Sequence, residues 1–135
     1  MALIESDAAI LNAAQRYIAL QQKTPALLDL AEDRQLSGKP GTVYLKKLGH
    51  KPLTAKDFEN VVIAHGSTDD KQIIQNFVKA QIDLRERLGD TRSIGLVLEQ
   101  AEMTRDLFYY RVKHPEKWKA EEMIKVIEVL DRLRV

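Results

Sequence analysis

Ile94-Gly-Leu-Val-Leu-Glu-Gln-Ala-Glu-Met-Thr-Arg-Asp-Leu-Phe-Tyr-Tyr-Arg-Val-Lys-His-Pro115 is the stretch whose reading sets the fold of this 135-residue chain. Its apolar residues recur at helical rather than alternating spacing. They are interrupted around Glu102 and Met103 and resume at Leu107. The spacing predicts one short helix from Arg92 to about Glu102 and a second from Thr104 to Lys113. Pro115 stops the second, because a proline there has no N–H to donate to a continuing helix. A further helix is predicted from about Lys119 to Leu133.

Working outward gives the same class of element everywhere. Ile10, Ala13, Ala14, Tyr17 and Ile18 predict a first helix from about Asp7 to Gln22, with Ser6 as its N-cap. Thr24 and Pro25 read as the cap and first residue of a short helix carrying Leu27, Leu28 and Ala31. Ser37-Gly38-Lys39-Pro40-Gly41 is a turn by composition. Val43, Tyr44, Leu45 and Leu48 then predict a short helix that stops at Gly49. Thr54 with Asp57 three residues later resembles a capping box ahead of Phe58, Val61 and Val62, and His65-Gly66-Ser67 ends that helix. A long helix is predicted from about Asp69 to Leu88, with Ile73, Ile74, Phe77, Ala80, Leu84 and Leu88 on one face, and Gly89-Asp90-Thr91 terminates it. The expectation is an all-α fold of about eight helices.

The order long, short, short, medium occurs twice, which suggests two duplicated four-helix units, 1–66 and 67–135, sharing one core. Leu36 pairs with Met103 at a spacing of 67, Tyr44 and Leu48 with Phe108 and Val112 at 64, and Leu53, Ala55 and Phe58 with Trp118, Ala120 and Met123 at 65. That alignment needs an insertion in the Gly38 to Gly41 turn and a small deletion before Leu53. It competes with the simpler view that any two helical stretches align this well.

Composition narrows the functional classes. With 44% apolar and 30% charged residues, six glycines and four prolines, the chain has enough Leu, Ile and Val to outweigh chain entropy. There is no cysteine, hence no disulfide framework, thiolate nucleophile or Cys-based zinc site. The first residues, Met-Ala-Leu-Ile followed by Glu5 and Asp7, lack the basic and apolar regions of a secretory signal. Apolar runs such as Val61 to Ala64 fall far short of the roughly 20 residues a membrane helix requires. The expectation is a cytoplasmic protein with no membrane partner. A net charge of +1 is no argument for nucleic acid, since dedicated binders usually carry a basic excess. Charge is nevertheless segregated: Arg34 to Lys56 holds six basic residues and no acid, and Asp57 to Asp70 four acids and no Lys or Arg.

The residues Met103-Thr104-Arg105, Phe108-Tyr109, Val112 and Pro115, with Trp118 and Ala120 to Met123 following, resemble the helix-turn-helix of the phage repressor and Cro-like family. The resemblance covers about residues 94–123, and a weaker echo lies at 27–62, from Leu30-Ala31 through Leu36-Ser37 to Val43-Tyr44. In that motif apolar residues lock two helices at a steep angle and leave the start of the second exposed to enter the major groove. Val97, Ala101, Met103, Phe108 and Val112 are the candidates for the lock. The resemblance implies groove-facing positions at Thr104, Arg105, Asp106, Tyr109, Tyr110 and Lys113. Arg105 suits bidentate recognition of guanine, whereas Thr104, Tyr109, Tyr110 and Lys113 suit phosphates. Lys39, Lys46 and Lys47, in or beside the echo's second helix, are further candidates for DNA contact. The sequence departs from the family at Leu98, where a small residue is usual, at Glu102, where glycine is common, and at Asp106, an acid near the groove.

Residues for catalysis do not assemble. His50, His65 and His114 stand far apart, without the i, i+4 pairing that places two imidazoles on one helical face for zinc. No Gly-x-Ser-x-Gly elbow surrounds Ser6, Ser37, Ser67 or Ser93. Gly38-Lys-Pro-Gly-Thr42 lacks the spacing of a phosphate loop. Asp69-Asp70 and Glu121-Glu122 fall in first helical turns, where acids complement the helix dipole. No enzyme activity, cofactor or metal is expected. Two readings of function stand. One is a transcriptional regulator that binds double-stranded DNA, acting as a monomer or homodimer. The other is a helical adaptor or assembly protein using apolar residues of the Asp69–Leu88 and Lys119–Leu133 helices.

Overall fold

Capping chemistry decides where the helices begin. The computed structural model describes residues 5–89 and 94–133, and among these the regular structure is eight α-helices with two short 3₁₀ turns. The helices are α1 (Glu5–Gln21), α2 (Thr24–Leu28), α3 (Pro40–Lys47), α4 (Ala55–His65), α5 (Thr68–Gly89), α6 (Ile94–Gln100), α7 (Arg105–Lys113) and α8 (Ala120–Leu133). The all-α expectation is met, and several boundaries are corrected. Ser6 lies inside α1, which is already helical at Glu5. Pro40 does not belong to a turn but opens α3 at its first position, where a fixed φ suits a helix and no N–H is needed. The expected turn residues Asp90 and Thr91, the helix start at Arg92, and Ser93 lie outside the described residues. No helix among the described residues is long and apolar enough to cross a membrane.

The chain divides into two compact units, Ile18–Gln75 and Met1–Tyr17 with Asn76–Val135. Both boundaries fall inside the long helices α1 and α5, not in the 66–67 connection expected from the sequence. In the unit Ile18–Gln75, Ala31, Leu36, Val43 and Val61 form a buried apolar cluster, with Leu27, Leu28 and Leu53 against it. Gly49 takes φ +80 and ends α3 in a Schellman turn, the His50 N–H donating to Leu45 at 2.9 Å and the Gly49 N–H to Lys46 at 3.1 Å.

One buried polar cluster joins α3 to α4. Thr54 and Asp57 make the expected capping box: the Asp57 N–H donates to Thr54 Oγ1, and the Thr54 N–H to Asp57 Oδ2, each at 3.1 Å. Aspartate therefore serves where Glu or Gln is usual. The same Asp57 accepts the Ser37 N–H at 2.8 Å and pairs with the Lys46 ammonium, which also donates to the Ser37 carbonyl at 2.9 Å. Burial alone would raise the Asp57 pKa; the Lys46 ammonium and the N–H groups of Ser37 and Thr54 outweigh it and hold the carboxyl well below its ordinary value. Ser67 and Asp70 form a second capping box at the start of α5, and Lys23 donates to Asp70 at 3.2 Å.

In the other unit α1 and α5 run antiparallel: Asp7 accepts from Arg87 at 3.0 Å, while Tyr17 stacks on Phe77 with ring centroids 3.8 Å apart. The Gln81 side chain donates to the carbonyls of Trp118 at 2.8 Å and Glu116 at 3.3 Å, which pins the Pro115–Lys117 turn to α5. Met123, Val126, Ile127 and Leu130 bury one face of α8, and Val97 and Leu98 of α6 are buried in the same unit.

Removing one partner of a buried, hydrogen-bonded pair leaves an uncompensated charge, so Asp57→Ala is expected to lose about 3–5 kcal/mol at neutral pH. The depressed Asp57 pKa means its contribution is complete above the ordinary value of 3.8 and disappears as pH falls through the lower folded-state value. Urea denaturation of parent and variant across this range should show the parent losing stability more steeply with acid. Equal slopes would remove the buried carboxylate from the explanation.

Candidate nucleic-acid interface

The α6–α7 segment is built around a reversal that needs one residue in the left-handed region. The Met103 N–H donates to the Leu98 carbonyl at 2.9 Å and the Glu102 N–H to Glu99 at 3.1 Å, a Schellman ending with Glu102 at φ +57. The backbone here adopts a conformation that favours glycine, and Glu102 bears it. Thr104 is then extended and caps α7, its Oγ1 accepting the Leu107 N–H at 3.2 Å. Of the expected lock residues, Val97, Ala101 and Phe108 are buried and Met103 and Val112 half-buried. Leu98 is buried too, so its larger side chain is taken into the core.

The five expected site residues within α7 share one face. At about 100° per residue, Arg105, Asp106, Tyr109, Tyr110 and Lys113 occupy an arc of about 140°, and all five are exposed, as is Thr104 ahead of them. Phe108 and Arg111 turn the opposite way and are buried. Inward side chains support the two outward tyrosines. Tyr109 leans on Phe108 with ring centroids 5.6 Å apart, and Tyr110 lies over the Arg111 guanidinium at 5.6 Å and beside His114 at 4.9 Å. The Arg105 guanidinium reaches back toward α6, where a Cβ added at Gly95 would stand 3.2 Å from it.

Arg111 is the residue that the sequence did not single out. It is buried and holds Glu122 of α8 through two bonds, Nε to Oε1 at 3.0 Å and Nη2 to Oε2 at 3.2 Å. The fork geometry of arginine and a carboxylate fits this double contact. Glu122 Oε1 also accepts the Lys119 N–H at 2.9 Å, so one acid caps α8 and anchors α7. The available signal was an acid at the third position of a helix, eleven residues after a basic one.

The lysines of the first echo separate. Lys39 is exposed at the N-cap of α3. Lys47 is also exposed and pairs with Asp33 at 2.7 Å. The expectation for Lys46 is corrected: it is buried with its ammonium held by Asp57 and Ser37, because its position on α3 faces α4 and not solvent. Acids near the α7 face are similarly placed. Glu102 accepts from Lys125 at 3.0 Å, while Asp106 sits exposed in the first turn of α7, where its charge complements the helix dipole.

Comparison with protein-family models, curated proteins and solved structures gives no match. The meaning of this surface rests on its own geometry.

Because Glu102 bears a left-handed backbone conformation that costs a side-chain-bearing residue about 1–2 kcal/mol, Glu102→Gly should be more stable than Glu102→Ala. Both variants lose the Lys125 contact, so their difference isolates the backbone term. We expect about 1 kcal/mol in favour of glycine after its own entropic cost, read from thermal or urea unfolding. Equal stabilities would mean the turn relaxes elsewhere.

Proposed function

We propose that this chain binds duplex DNA through the exposed face of α7 and acts as a regulator of transcription of repressor or Cro-like type. The observation that carries the reading is the grouping of Arg105, Tyr109 and Lys113 on one exposed arc that runs the length of the second helix, which follows a tight, hydrogen-bonded turn. A helix of this kind fits the major groove with its N-terminal residues nearest the base edges. Arg105 is the base reader, able to meet guanine O6 and N7 bidentately. Tyr109, Tyr110 and Lys113 hold phosphates and fix the register. Arg111 contributes from beneath, fixing α7 to α8 through Glu122 and supporting the Tyr110 ring. Asp106 opposes phosphate, which favours cytosine amino groups on its side of the groove.

A second reading, an adaptor that binds protein, draws on Val78 and Ile82, which stand one turn apart on α5 and are 41% and 39% exposed. Helix α8 offers it less, since Met123, Val126, Ile127, Val129 and Leu130 are buried and Ile124 and Leu133 half-buried.

Selection from random-sequence duplexes across a salt series tests the two readings directly. The DNA reading expects an enriched motif and affinity that falls steeply with salt. Arg105→Ala should lose about 1–3 kcal/mol at one base position and relax the preference there. Retention of no duplex even at low salt, together with a mass that rises with protein concentration, would establish the adaptor reading instead.

A further inference from the structure

The α3–α4 and α7–α8 pairs contain the same device at a constant shift of 65 residues. Lys46 and Arg111 are both buried, and each pairs with an acid eleven residues later, Asp57 and Glu122. Each acid is the third residue of its helix and accepts the N–H of the residue before that helix, Thr54 or Lys119. Val43 and Phe108, Phe58 and Met123, Val61 and Val126, and Val62 and Ile127 are buried at the same shift. This register needs no insertion within α3. It pairs Tyr44 with Tyr109 and not with Phe108, because burial, not aromatic character, marks the equivalent positions.

The exposed face of α3 is thereby the counterpart of the exposed face of α7. Tyr44 is 63% exposed and Tyr109 55%. Arg105, Asp106 and Lys113 are replaced by Pro40, Gly41 and Leu48, so on this arc α3 keeps the tyrosine and carries none of the charged groups of α7. Charge remains at its ends. Lys39 precedes α3 and Lys51 follows it; both are exposed, and neither has an ion pair among the described residues. No acid occurs between Arg34 and Lys56. A second copy docking face to face would set lysines against lysines, whereas a polyanion complements them.

We propose that the α3 face is a second DNA contact that holds phosphates and reads no sequence, with Lys39 and Lys51 as the neutralising cations and the Tyr44 hydroxyl as a donor to a phosphate oxygen. The proposal rests on the α7 reading and divides the labour between two equivalent helices: α7 specifies, α3 adds affinity.

The test compares the full chain with its Lys39→Gln/Lys51→Gln and Arg105→Ala variants, using the duplexes selected by the parent and a scrambled duplex, across a salt series. Each lysine that neutralises a phosphate adds about 0.9 to the slope of log affinity against log salt. The double variant should therefore lose about two from that slope, weaken equally on both duplexes, and select the parent's motif. Arg105→Ala should keep most of the slope and change the motif. A double variant with the parent's slope, alongside an altered motif in Arg105→Ala, would overturn the α3 contact and leave α7 standing. Loss of the motif in the double variant would overturn the claim that α3 reads no sequence. A parent that retains no duplex would sink both readings. Finally, Tyr44→Ser lowering a concentration-dependent mass without touching the salt slope would make this face a protein contact.

Discussion

An acid at the third position of a helix, taking a buried cation from the helix before it, is the constraint on which both units depend. Asp57 and Glu122 each perform two tasks with one carboxylate. They cap the N-terminus of α4 or α8, which otherwise has unpaired N–H groups, and they neutralise Lys46 or Arg111 inside the protein. Neither task could be left undone: a buried ammonium or guanidinium without a partner is strongly unfavourable. The pairs therefore fix which side of α3 and α7 turns inward. The exposed face of each follows as a geometric consequence.

That consequence connects packing to the surface proposed to contact DNA. Once Arg111 points inward, helical spacing sends Arg105, Tyr109 and Lys113 outward together, and Phe108 with Arg111 supports the two tyrosines from below. A surface ordered by buried neighbours loses less side-chain entropy on binding than one made of free rotors. The near-neutral net charge is compatible with a polyanionic partner in the same terms. Several cations are internal or locally paired, and Lys39 and Lys51 stand exposed in a stretch without acids. Local arrangement, not the sum, determines the field a phosphate meets.

Much of the fold was legible in the sequence. Apolar spacing located all eight helices, Thr54 and Asp57 announced a capping box that the structure shows, and Gly49 and Pro115 marked stops where helices do stop. The boundaries that shifted were those governed by backbone geometry that composition does not display. Pro40 read as a turn residue but opens α3, since proline suits both. Glu102 read as a departure from a glycine pattern, yet the backbone there is left-handed all the same. The six candidate residues from Thr104 to Lys113 came together on one exposed surface, because a single helix and its cap hold them and local periodicity was sufficient.

What the sequence by itself determined was therefore local: helix positions, caps, and which residues share a helical face, all set by interactions spanning three or four residues. Only the tertiary structure decided which cations lie inside. Lys46 and Lys47 are neighbours of the same type, and one is buried while the other is exposed, because α4 covers one side of α3. The register of the two units was hidden for the same reason. Matching aromatic to aromatic aligned Tyr44 with Phe108, and only burial, a property of neighbours distant in sequence, showed that Val43 is the counterpart of Phe108.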